Sequence, residues 1–101
     1  MARQISNGRV LYDWLARTHD PIRRETLLTW TRAACIDPDA VTHGTVQKPP
    51  PSRRALRYAS VPGAAATVFF LVFDTPVKVL HLVRIYDDPG LDEPTLWVEE
   101  E

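Results

Sequence analysis

The run Thr67-Val68-Phe69-Phe70-Leu71-Val72-Phe73 decides the fold. It is an almost unbroken series of β-branched and aromatic residues, the composition of a central strand covered on both faces. Asp74-Thr75-Pro76 supplies turn chemistry after it, and residues 77–85 follow as an antiparallel neighbour. Before it, Val61-Pro62-Gly63 makes a second turn, and residues 53–60, centred on Ala55-Leu56-Arg57-Tyr58, read as a strand on the other side. Lys48-Pro49-Pro50-Pro51-Ser52 is a stiff connector that fits neither a helix nor a central strand. Residues 41–47 offer one further strand.

Upstream of the connector the period changes. Val10, Leu11, Trp14 and Leu15 share one helical face. A second helix starts where Asp20 can cap and Pro21 suits the first helical position. Leu27, Trp30 and Ala34 form its apolar stripe, flanked by Leu28 and Cys35, and Asp37-Pro38-Asp39 stops it. Trp14 and Trp30 are therefore expected in the core. Only Thr18, His19 and Asp20 separate the helices, which predicts an antiparallel helical hairpin. Residues 1–7 read as a poor strand. The expected architecture is α+β: an N-terminal helical hairpin packed on one face of a three- to four-stranded antiparallel sheet, the other face open.

A chain of 101 residues, 45% apolar and 25% charged, has the length and composition of one globular domain. We place that domain at 1–86, followed by an acidic, irregular tail at 87–101 in which Leu91, Leu96 and Trp97 can dock. All 12 Lys and Arg lie within residues 1–84, beside six acids, while residues 87–101 hold seven acids and no base. A basic body with an acidic tail suits an anionic partner, or a tail that masks the basic face. Cys35 is a single cysteine, so no internal disulfide is possible. No apolar run follows Met1-Ala2-Arg3-Gln4-Ile5-Ser6, and residues 64–73 fall far short of the ~18 apolar residues of a membrane span. The expectation is a soluble, cytoplasmic domain without membrane contact.

The second half, read in order, resembles the RelE/ParE toxin superfamily of bacterial type II toxin–antitoxin systems. The resemblance covers residues 53–89. It rests on Leu56-Arg57-Tyr58, the Pro62-Gly63 turn, the segments Thr67-Val68-Phe69-Phe70-Leu71-Val72-Phe73-Asp74 and Val77-Lys78-Val79-Leu80-His81-Leu82-Val83-Arg84, and the closing Tyr86-Asp87-Asp88-Pro89. Members of that family usually open with a strand before the first helix and carry basic residues after the last strand. Here Ile85, Tyr86, Asp87 and Asp88 stand in the latter place. The resemblance implies metal-independent cleavage of mRNA at the ribosome, the 2′-hydroxyl attacking the adjacent phosphate, with silencing by a cognate antitoxin.

The residues suited to that chemistry are Arg57, Arg84 and Tyr86 as the catalytic group, with Lys48, Arg53 and Arg54 of the connector binding RNA. Arginines stabilise developing charge on phosphoryl oxygens, and a tyrosine can move a proton. Strict alternation places Lys78, Leu80, Leu82, Arg84 and Tyr86 on one side of their strand, and Val77, Val79, His81, Val83 and Ile85 on the other. His81 then belongs to the core edge, and two of Phe69, Phe70 and Phe73 fill the core. Leu56-Arg57-Tyr58 interleaves a cation with an aromatic, a combination that suits single-stranded nucleic acid. His43 reads as a surface histidine, and His19 belongs to the turn between the helices. Cys35 reads as a small buried hydrophobe. The histidines and Cys35 lack metal-ligand spacing, and no nucleophile elbow, phosphate loop or dinucleotide fingerprint is present, so neither metal nor cofactor is expected.

Two functions stay open. One is a toxin whose basic sheet face meets RNA on the ribosome. The other is a non-catalytic module of the same fold that binds a protein or forms a homodimer. Arg57, Arg84 and Tyr86 favour the first; the acidic tail and the missing basic C-terminus favour the second.

Overall fold

The computed structural model describes residues 2–46 and 56–88. Strand β1 (Gln4–Ser6) is followed by helices α1 (Arg9–Arg17), α2 (Pro21–Ile36) and the short α3 (Pro38–Val41). Strands β2 (Gly44–Val46), β3 (Leu56–Val61), β4 (Ala66–Phe73) and β5 (Val79–Asp87) follow, with a 3₁₀ turn at Pro62–Ala64 between β3 and β4. The architecture is α+β, as expected. Its sheet has five strands in the order β1-β5-β4-β3-β2, with β1 parallel to β5 and every other pair antiparallel.

The sheet thus departs from a three- or four-stranded antiparallel one at the β1 edge alone. Residues 41–47 do contribute an edge strand, β2. At the opposite edge Gln4, Ile5 and Ser6 pair in parallel with Val79, Leu80 and His81. A three-residue polar edge strand has no periodic signature, and only its docking beside β5 makes it a strand. Asn7, at φ 61°, turns the chain from β1 into α1 and donates from its side-chain amide to the Leu82 carbonyl, 2.8 Å away. Asparagine tolerates that left-handed backbone better than most residues.

The helices are not a packed hairpin either. Helix α1 lies mainly on β5, whereas α2 packs mainly against the 3₁₀ turn and α3 and more lightly on β3 and β5, so neither helix has the other as its main partner. Their junction is tied by Arg24, whose guanidinium donates to the carbonyls of Leu15 and Thr18 at the end of α1. Those are C-terminal carbonyls that the helix itself leaves without partners. Asp20 caps α2 by accepting from the backbone N–H of Ile22 at 2.9 Å and of Arg23 at 3.5 Å, with Pro21 in the first turn. Asp37 ends α2 and accepts from the N–H of Ala40 at the start of α3.

One core fills the space between helices and sheet. Trp14, Leu27 and Ala34 meet Ala59, Val61, Val68, Phe70, Leu80, Leu82 and Ile85 there. Trp14 is fully buried, and half-buried Trp30 packs edge-on to Phe70 with ring centroids 5.6 Å apart. The Trp14 indole N–H donates to Asp87 at 2.7 Å, and Arg23 donates to the same carboxylate oxygen at 2.9 Å. The last strand runs through Asp87, two residues past its expected end at Ile85, and Asp88 accepts from the Thr67 hydroxyl at 2.9 Å. Residues 89–101, and with them the docking expected of Leu91, Leu96 and Trp97, lie outside the described residues. No helix among the described residues is long and apolar enough to cross a membrane.

Candidate functional site

Which side chains reach the sheet face turned away from the helices depends on one irregularity. Along the β4–β5 ladder Phe69 pairs with Arg84 but Phe70 pairs with Leu82, so Val83 is an extra residue in β5. A bulge of this kind shifts the alternation by one position. Leu80 and Leu82 before it, and Ile85 after it, all enter the core. Arg84 and Tyr86 consequently share the far face with His81, not with Leu80 and Leu82. Strict alternation had placed His81 beside Ile85 at the core edge. Instead His81 packs edge-on to Phe73, and its Nδ1 lies 3.0 Å from the Ser6 hydroxyl on neighbouring β1.

The phenylalanines follow the same logic. Of the three, only Phe70 belongs to the core between helices and sheet. Phe69 and Phe73 are on the far face; Phe69 is buried there, so two of the three are buried as expected, but on opposite faces of the sheet. Phe69 is buried there between two tyrosines: its ring centroid lies 6.0 Å from that of Tyr58 and 5.6 Å from that of Tyr86. Tyr58 lies across Gly44, its cross-strand partner on β2. A Cβ at position 44 would stand 2.8 Å from the Tyr58 hydroxyl, so only glycine leaves room for the ring in this position. Arg84 is exposed and donates to the Tyr86 hydroxyl at 3.1 Å.

Arg57 is elsewhere. It shares the face of the core residues Ala59 and Val61, two and four positions along β3, so it sits on the helical side of the sheet. There its guanidinium donates to Asp39 at 2.7 Å and to the Thr42 hydroxyl at 3.3 Å. The expected group of Arg57, Arg84 and Tyr86 is therefore divided: the structure brings Arg84 and Tyr86 together and holds Arg57 on the opposite face. Lys48, Arg53 and Arg54 lie outside the described residues.

Other arginines are engaged structurally. Arg3 reaches the Phe73 carbonyl and Asp74, Arg17 the Ile85 carbonyl, and Arg23 the Ala64 carbonyl and Asp87. Among the described residues, Arg84 is paired with no carboxylate. Cys35 is buried at the end of α2, where burial raises its thiol pKa and the nearby Arg3 charge partly offsets that rise. A buried thiol of this kind is not an activated nucleophile. His43 precedes β2, and its Nδ1 accepts from the Ser60 backbone N–H at 2.9 Å, so it staples β2 to β3.

The far face thus combines an aromatic cluster, one exposed guanidinium and a phenol in contact with it. Such a surface can take a polar or anionic group on Arg84 while apolar surface packs on the tyrosines. The part of this site that sequence reasoning missed is the pairing of Ser6 with His81, since nothing in residues 1–7 announces a parallel edge strand. No protein-family model, curated protein or solved structure matches the chain.

Proposed function

We propose that this chain is a non-catalytic protein-interaction module with a RelE/ParE-like fold, acting in the cytoplasm. Its working surface is the far sheet face around Tyr58, Phe69, Arg84 and Tyr86. The observation that carries this reading is the separation of Arg57 from Arg84 by the sheet itself. Stabilising a pentavalent phosphoryl transition state needs several donors converging on one point, together with a positioned acid and base. Arg57, held by Asp39 and Thr42, is unavailable to that point. The RelE/ParE-like reading is supported by the strand β1 ahead of α1, the element order characteristic of that family. A cognate antitoxin, or another protein that covers the far face, is the partner this implies.

The second reading is a metal-independent endoribonuclease acting on mRNA at the ribosome. The Arg84–Tyr86 contact favours it, since a cation and a proton donor stand side by side on one face. Induction of the gene in a bacterial host, with growth and mRNA integrity followed, tests the two. Unimpaired growth with intact mRNA is the result expected of the module. Growth arrest with cleaved mRNA, both lost in Arg84→Ala, would establish the nuclease and overturn the module reading.

A further inference from the structure

On the helical side, away from the far face, the corner where β1 meets α1 carries apolar surface that the fold leaves outside. Tyr12 is 70% exposed and Ile5 40% exposed. They flank Gly8: a Cβ there would lie 3.8 Å from Tyr12 Cε2 and 3.9 Å from Ile5 Cγ2, so the two side chains border one shallow depression. β1 is also an edge of the sheet, so the patch lies at the margin of the molecule. An exposed tyrosine next to an exposed isoleucine is the composition of an interface centre more than of ordinary surface.

The charges around Tyr12 say what fits it. Arg9 and Asp13 stand one helical turn apart beside Tyr12, both exposed, and neither forms an ion pair among the described residues. This arrangement is complementary to itself. Turned by a two-fold axis level with position 11, midway between Arg9 and Asp13, a second α1 runs antiparallel to the first, placing each Arg9 against the other copy's Asp13 and the two Tyr12 side chains next to each other, offset by about 3 Å along the helix. Isologous contacts have this property: one patch meets itself and every pair occurs twice. Ala16, exposed one turn further on, leaves the helices room to approach.

The geometry points to a homodimer of this chain formed through the exposed face of α1, with Tyr12 at its centre and two Arg9–Asp13 pairs fixing the antiparallel register. The dimer leaves the far sheet face available, so it stands apart from the interaction proposed there.

Sedimentation equilibrium of the full chain tests it. The wild type sediments as a dimer that dissociates on dilution. Arg9→Asp sets an aspartate against Asp13 of the other copy and Asp13→Arg sets an arginine against Arg9, so each variant alone is monomeric at concentrations where the wild type is dimeric. Mixed in equal amounts, the two monomeric variants form a heterodimer, because opposite charges now face each other twice. Tyr12→Ser is monomeric as well, whereas Arg84→Glu dimerises like the wild type. Unchanged melting of each variant at low concentration is the control for folding. A wild type that stays monomeric up to about 1 mM, beyond which an interaction is weaker than roughly 4 kcal/mol, overturns the proposal. So does a dimer that survives both charge reversals, or a mixture that stays monomeric.

Discussion

Arg57 pairs with Phe70 and Arg84 pairs with Phe69, so the two arginines flank consecutive residues of the same central strand and point to opposite faces of the sheet. Their contributions separate accordingly. Arg57→Ala removes a guanidinium that joins β3 to α3 through Asp39 and Thr42. Because Asp39 is largely exposed, the expected loss is under about 1 kcal/mol by urea unfolding. Arg84→Ala changes stability by less than about 0.5 kcal/mol, as an exposed surface substitution does. A larger loss for Arg84→Ala than for Arg57→Ala would contradict this division.

Trp14 and Asp87 tie α1 to the end of the sheet across 73 residues of sequence. Trp14→Phe keeps most of the buried ring but deletes the indole donor, at an expected cost of about 1.5–3 kcal/mol for a hydrogen bond to a charged group. Asp87→Asn keeps an acceptor for Trp14 and loses the charge facing Arg23 and Arg17, so its cost is the smaller. Chemical denaturation of both variants measures the difference directly.

Gly44 and Tyr58 form a pair in which one residue's missing side chain accommodates the other's ring. Gly44→Ala displaces the ring from Phe69 and weakens the β2 edge, whereas Gly44→Ala combined with Tyr58→Ala costs less than the two single losses added. Strict additivity in a double-mutant cycle would mean that the ring already clears position 44.

Deleting Val83 removes the bulge yet leaves Leu82 and Ile85 facing the core and Arg84 facing outward, since regular alternation then gives the same faces. The deletion variant is expected to fold cooperatively. Deleting Val72 from β4 offers no such escape and is expected to abolish the cooperative thermal transition. Circular dichroism melts of the two deletions distinguish these outcomes.

Cys35 brings a pH dependence whose sign is set by burial. Its thiol pKa in the folded chain is raised, so the folded state favours the neutral form. The unfolded thiol ionises near its ordinary value of about 8.5. The stabilising contribution is therefore complete below that pH and is lost as the pH rises through the folded value. Between pH 7 and pH 10 the wild type should lose more stability than Cys35→Ala. Equal losses would show that the thiol does not contribute.

Much of this molecule follows from local chemistry. The Asp20-Pro21 start of α2 and its stop at Asp37-Pro38 depend on residues adjacent in the chain. The strands around 67–73 follow from unbroken β-branched and aromatic composition, and the burial of Trp14 and the packing of half-buried Trp30 against the core follow from helical spacing. These features are short-ranged, so the sequence alone determines them. What it cannot determine is decided between residues far apart. Whether Gln4–Ser6 is a strand depends on an edge of β5 some 75 positions later, and the helices find separate partners, α1 on β5 and α2 on the 3₁₀ turn and α3. The bulge at Val83 matters most for the site. One extra residue in the β4–β5 register reverses which face His81 occupies relative to Ile85, and the β3–β4 register puts Arg57 on the helical side with Phe70. A period of two predicts faces only while pairing stays in step, and the step is set by the neighbouring strand.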